Sequence, residues 1–243
     1  MASNYTEWSF QLYDLRLNRP IDDDSGVCNV LTADDPSEVT IYSNDTGTSK
    51  SNPTTMSNGE FRFFTDVSTT SVDLSIQTAS GQAFFVQGFT PSQHRINVNP
   101  EKMENCLVVP FQVVGASETV VDTGFDILSN MLVKDVFIHV TTIGTGALLD
   151  IGTSTDSDGF LDGIAATTTG YPITALEESS VSGSSLLGAL LAPEASNNYA
   201  RGLHKRANAT SGANIVYTNT TSSSTAGEGY VYITYLKVPT TGG

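Results

Sequence analysis

Leu132-Val133-Lys134-Asp135-Val136-Phe137-Ile138-His139-Val140 is nearly continuous in apolar residues and rich in β-branched side chains. Such a run predicts a central strand, buried on both faces of a sheet, and it weights the whole chain toward a β reading. Gly229-Tyr230-Val231-Tyr232-Ile233-Thr234-Tyr235-Leu236 reads the same way, with aromatics set among β-branched residues. Residues 106–114 predict another strand, in which Pro110 points to an edge or a bulge. Further strands are expected at 118–128, 147–151 and 214–218. The apolar run 184–192 fits a short helix or a buried strand equally well.

Toward the N-terminus the pattern changes to strict alternation. Phe10-Gln11-Leu12-Tyr13-Asp14-Leu15-Arg16-Leu17, Glu38-Val39-Thr40-Ile41-Tyr42 and Val72-Asp73-Leu74-Ser75-Ile76 each predict a half-buried strand. Between them lie turn-forming stretches such as Asn44-Asp45-Thr46-Gly47 and Ser57-Asn58-Gly59, where Asn-Gly supplies the positive φ of a tight hairpin. A polar, proline-containing stretch at 99–105 separates the two strand-rich blocks. The expected organisation is all-β, with two β-sandwich domains at 1–104 and 105–243.

The chain has 243 residues, 26 acidic against 11 basic, and a formal net charge of -15. Counterion release from phosphates needs a basic face, so nucleic acid is excluded as an expected partner. Charged residues make up 15%, against roughly 25% in an average soluble domain, which argues against long solvated helices. No apolar run approaches the roughly 20 residues that span a bilayer, so no membrane partner is expected. The first residues lack the basic and apolar regions of a secretory signal, and synthesis in a cytoplasm is the expectation. Cys28 and Cys106 lack metal or redox spacing; two buried thiols are expected, with a disulfide between them left open.

Catalytic chemistry finds little to work with. His94, His139 and His204 form no metal-gathering pattern, and His139 is expected as a hydrogen-bonded core or edge residue. No nucleophile elbow or phosphate-binding glycine loop occurs, so a non-enzymatic protein is expected. The one candidate metal segment runs from Gly152 to Asp162, where Asp156, Asp158 and Asp162 alternate around Gly159 as oxygen ligands of calcium would. It lacks the closing Glu and flanking helices of a helix-loop-helix site, so a β-turn with solvated Asp residues is the competing expectation. Asp22-Asp23-Asp24 reads as a solvated loop. Arg201, Lys205 and Arg206 gather three of the eleven basic residues into one stretch, a candidate docking patch for an acidic partner. Sequons at Asn4, Asn44, Asn208 and Asn219 are expected by chance in a chain this rich in Asn, Ser and Thr.

Val39-Thr40-Ile41-Tyr42-Ser43, Ser51-Asn52-Pro53-Thr54-Thr55 and Asn58-Gly59-Glu60-Phe61-Arg62-Phe63-Phe64 resemble the Ig-like or transthyretin-like modules of tailed-bacteriophage virion proteins. The second block, through Val136-Phe137-Ile138-His139-Val140, Leu149-Asp150-Ile151-Gly152-Thr153, Asp156-Ser157-Asp158-Gly159-Phe160 and Gly229-Tyr230-Val231-Tyr232-Ile233, is similar to a jelly-roll-like sandwich of head-decoration proteins. The resemblance implies no catalytic residues and no cofactor. It implies a capsid decoration (cement) protein on the outer surface of the virion, bound to the major capsid protein, as a homo-oligomer and plausibly a trimer at local threefold positions. The alternative is a carbohydrate-binding module or fibre-associated adhesin, which would stack sugars on Trp8, Tyr5 and Tyr13.

Overall fold

The computed structural model describes residues 4–21, 24–57, 59–98, 104–113, 120–128, 131–143, 148–166, 169, 172–174, 213–220 and 227–237. Every described regular element is a β-strand. The chain divides into two compact units, Met1–Lys102 and Met103–Gly243.

The first unit contains β1 (Tyr5–Asp14), β2 (Arg19–Pro20), β3 (Val27–Thr32), β4 (Ile41–Tyr42), β5 (Ser49–Lys50), β6 (Thr54–Thr55), β7 (Glu60–Asp66), β8 (Val72–Gln77), β9 (Ala83–Phe89) and β10 (Arg95–Val98). One sheet runs β10-β1-β7-β4-β5, with β2 attached to β1, and the other runs β6-β3-β8-β9. β1 and β10 pair in parallel, so the unit's first and last strands are neighbours. Trp8, Phe10 and Leu12 of β1 and Phe61 and Phe63 of β7 share one core with Val30, Leu74 and Ile76 of the second sheet. Alternation alone places them on one face, since successive side chains of a strand point to opposite sides. Trp8 stacks on Phe63 with centroids 5.8 Å apart, and its indole Nε1 donates to Thr65 Oγ1 at 2.8 Å, which satisfies the one polar group it buries.

Three expectations for this unit change. β1 stops at Asp14, because Asp14 Oδ1 accepts the N–H groups of Arg16 and Leu17 and turns the chain. The segment from Glu38 keeps only Ile41–Tyr42 as strand; before it the pairing with β3 is a single bridge, Leu31 with Glu38, and the Asn52 amide donates to the carbonyls of Val30 and Val39 there. β8 is buried along its whole length instead of half-buried. Its inner position between β3 and β9 and the hydrogen bonds made by Asp73 account for that.

The second unit contains β11 (Glu104–Val113), β12 (Val121–Ile127), β13 (Met131–Thr142), β14 (Leu148–Thr153), β15 (Asp156–Ala165), β16 (Pro172–Thr174), β17 (Ala213–Asn219) and β18 (Gly227–Lys237). Its two four-stranded sheets run β11-β18-β13-β16 and β12-β17-β14-β15. The first strand pairs with the last, the second with the seventh, the third with the sixth and the fourth with the fifth, all antiparallel. Leu107, Val109, Phe111, Val136, Ile138, Val231 and Ile233 are buried in one sheet and Phe125, Ile127, Ile151 and Ile215 in the other. Tyr217 links the two sheets: its ring meets Phe111 edge-on at 6.3 Å and its hydroxyl donates to the Gln112 carbonyl at 3.2 Å. Pro110 lies on the edge strand β11, where a residue without an N–H is tolerated. The run 184–192 lies outside the described residues.

Candidate functional site

β13 is inner in its sheet, but its burial alternates, and this corrects the expectation of burial on both faces. The inward set is Val133, Val136, Ile138 and Val140; Phe137 and His139 point to the opposite face and are half-buried. Register assembles that outer face. Val108, Tyr232 and Phe137 form one cross-strand row, and Pro110, Tyr230 and His139 the next. Phe137 and Tyr232 stack with centroids 4.9 Å apart and planes 6° from parallel, and Tyr230 leans on Tyr232 at 6.4 Å. Such ring pairs add about 0.5–1.5 kcal/mol beyond area burial. Burial, and then the neighbouring Cys106, push the Tyr232 hydroxyl above its usual pKa, so it stays a neutral donor and acceptor at physiological pH.

Polar rows bound these apolar ones. On one side Glu228 accepts from Thr142 Oγ1 at 2.9 Å and from Gln112 Nε2 at 3.4 Å. On the other, Thr234 Oγ1 donates to the Asp135 carbonyl at 3.3 Å. Val108 and Tyr230 are buried, at 6% and 8% exposure, whereas Phe137 and Tyr232 are half-buried, so the accessible part of this apolar centre is the Phe137–Tyr232 pair. An apolar centre inside a polar rim is the anatomy seen in protein-binding faces, and a single ring pair is a small fraction of the roughly 800 Å² per partner of a standard interface.

The acidic segment is not the turn expected for it. The turn is Ser154-Thr155, and Asp156–Ala165 is strand β15, paired with β14 through two irregularities. Gly152 permits this: a Cβ there would overlap the backbone of Asp156, Ser157 and Gly159, so only glycine lets β15 lie so close. Asp156 and Asp158 are hydrogen-bonded to each other, and that bond, with burial, raises the Asp156 carboxyl above its ordinary value. Burial raises Asp150, and Asp162 and Asp158 push it the same way, while Asp150 Oδ1 accepts the Gly163 N–H at 2.8 Å. Asp156 and Asp158 are thus brought together and Asp162 faces Asp150. Among the described residues no group of three or more His, Cys, Asp or Glu side chains is gathered to hold a metal ion.

Other candidates fall elsewhere. Trp8 is 0% exposed and cannot stack a sugar, which removes the centre of the aromatic platform expected near the N-terminus. Tyr13 is covered by the Arg95 guanidinium 3.3 Å from its ring centroid. His94 is exposed, with Nδ1 3.1 Å from the Ser9 carbonyl, and His139 lies on the outer face instead of in the core. Cys28 and Cys106 are both free thiols, Cys28 buried. Arg201, Lys205, Arg206 and His204 lie outside the described residues, as do Asp22 and Asp23. The outer face itself was not read from sequence, although the signal was present: Phe137 and Tyr232 are both out of phase with the inward residues of their strands. No protein-family model, curated protein or solved structure matches the chain.

Proposed function

We propose that the chain is a non-enzymatic virion structural protein, a capsid decoration protein that docks on assembled coat protein through the outer face of β11, β18 and β13. The observation that carries this reading is the half-buried, stacked Phe137–Tyr232 pair inside a polar rim, with Val108 and Tyr230 buried beside it. Fold analogy adds to it. Among the described strands of the second unit, pairing of first with last, second with seventh, third with sixth and fourth with fifth follows one long hairpin rolled over on itself. We assign it as a jelly roll, an architecture used by viral capsid and lectin domains. The first unit we assign as the Ig-like or transthyretin-like module. A small anchor suits a shell, where many equivalent sites and symmetric copies of the protein, a trimer among the options, convert weak contacts into occupancy. An excess of negative charge suits the outer surface of the particle, away from the genome.

The test is co-sedimentation with undecorated shells assembled from the coat protein of the same genome. Replacing Phe137 and Tyr232 together by Asp should reduce shell binding at least tenfold while circular dichroism stays that of the parent. Binding at parental strength would sink the docking face, and no binding by the parent protein would sink the decoration reading. Charge reversal of Arg201, Lys205 and Arg206 tests the other candidate patch: a loss of occupancy that is largest at low salt is its expected sign, and unaltered occupancy across salt concentrations would remove it.

A further inference from the structure

An open cleft of about 460 Å³ lies on the outer face of the first unit's larger sheet, far in sequence from the docking face. Phe64 lines it from β7, on the opposite face of the strand from Phe63, and is itself only 8% exposed. The Arg62 guanidinium lies over the Phe64 ring at 5.8 Å, and its Nε contacts Glu7 Oε1 at 2.7 Å. Lys50 Nζ donates to the Arg62 carbonyl at 2.5 Å. Asp45 closes the opposite wall from the β4–β5 turn. That turn is built before any ligand arrives: Asn44 Oδ1 accepts the N–H groups of Thr46 and Thr48, each at 3.1 Å, and Asn44 Nδ2 donates to Thr48 Oγ1 at 2.9 Å.

The charges in this cleft balance, two cations (Lys50, Arg62) against two carboxylates (Glu7, Asp45), in a chain whose net charge is -15. A charged ligand would meet one attractive and one repulsive pair. Neighbouring hydroxyl groups meet no such conflict, because each can donate to a carboxylate and accept from a guanidinium or ammonium at once. The volume lies in the range of small-ligand sites and suits one or two sugar rings. From this we infer that the cleft binds a neutral saccharide, held through its hydroxyl groups by Arg62, Glu7, Asp45 and Lys50. The inference does not rest on the docking face, and it moves sugar recognition away from the buried Trp8.

An exposed site for a ligand this small gives dissociation constants on the order of 1 mM, so the probe is a multivalent array carrying neutral and acidic glycans. The expected result is capture by neutral glycans, reduced at least tenfold by Arg62→Ala and by Asp45→Ala, with amide shifts on titrating the free glycan confined to the cleft. Both residues are exposed and outside the core, so the fold should survive, which circular dichroism checks. Capture by acidic glycans alone overturns the inference. So does an absence of capture, or capture that survives both substitutions. Phe137→Asp should leave glycan capture intact, and Arg62→Ala should leave shell binding intact, so the two readings fail separately.

Discussion

Asp73 sits on β8 at 1% exposure and holds two irregular backbone positions at once. Its Oδ2 accepts the N–H of Asp34, a residue at φ 61°, and its Oδ1 the N–H of Gly88, at φ 63°. Asp73→Ala would remove the acceptor of both part-buried bonds and release the two irregular positions they hold, and a cost of about 1–3 kcal/mol is expected in urea unfolding followed by circular dichroism. Gly47, at φ 84° in the turn that carries Asp45, presses on Tyr5: a Cβ would overlap the phenol oxygen. Gly47→Ala should cost about 1–2 kcal/mol from the backbone conformation and the displaced ring, and calorimetry of the variant against the parent checks it. At this scale the sequence is informative about type and poor about partner. Asn44 and Gly47 announce a turn, but nothing local tells that Tyr5 lies beneath it. Trp8 is legible in principle, since it is in phase with Phe10 and Leu12, but the alternation read from Phe10 begins five residues after the true start of β1 at Tyr5 and so leaves Trp8 out.

β18 lies between β11 and β13, and its Gly229 pairs with Phe111 on one side and Val140 on the other. A side chain there would overlap the His139 carbonyl and press on the Phe111 ring. Gly229→Val should therefore separate β18 from β13, lower the melting temperature by several degrees and weaken shell binding, because the aromatic rows are carried by those two strands. A melting curve and the co-sedimentation assay read the two effects. Strand existence was largely legible from alternation and β-branched content. Pairing was not: Cys106 faces Thr234 across the chain's second half, and many strands of similar pattern compete for each edge. The acidic hairpin was misread because Asp, Ser and Gly have turn composition, whereas Gly152 uses the same residues to bring two strands together.

For the whole molecule the carboxylates set the response to acid. Burial raises Asp126 and Asp150 above the ordinary 3.8, and Glu38 above 4.5; hydrogen bonding to Asp158 raises Asp156. A carboxyl raised on folding binds its proton more readily in the native state. Its favourable contribution is complete below the ordinary value and is lost as pH rises through the folded value. Acidification from pH 7.5 to about 4.5 also reduces the repulsion within an acidic chain, so both effects have the same sign. The urea midpoint should rise over that interval, and Asp150→Asn, which keeps the acceptor for Gly163, should raise it at pH 7.5 and flatten its dependence on pH. Net charge and an all-β architecture were legible at this scale; which carboxylates are buried depends on long-range packing and was not.

Trp8 is the single tryptophan of the chain, sealed against Phe63 in the first unit. Its fluorescence therefore reports that unit alone, with blue-shifted emission while the core is closed and a red shift when water enters. The second unit emits only through tyrosines such as Tyr217 and Tyr235. Tryptophan emission thus follows the first unit alone, while tyrosine emission carries both units, through Tyr5, Tyr13 and Tyr42 as well, so a tyrosine change without a tryptophan change marks the second unit, with no label attached.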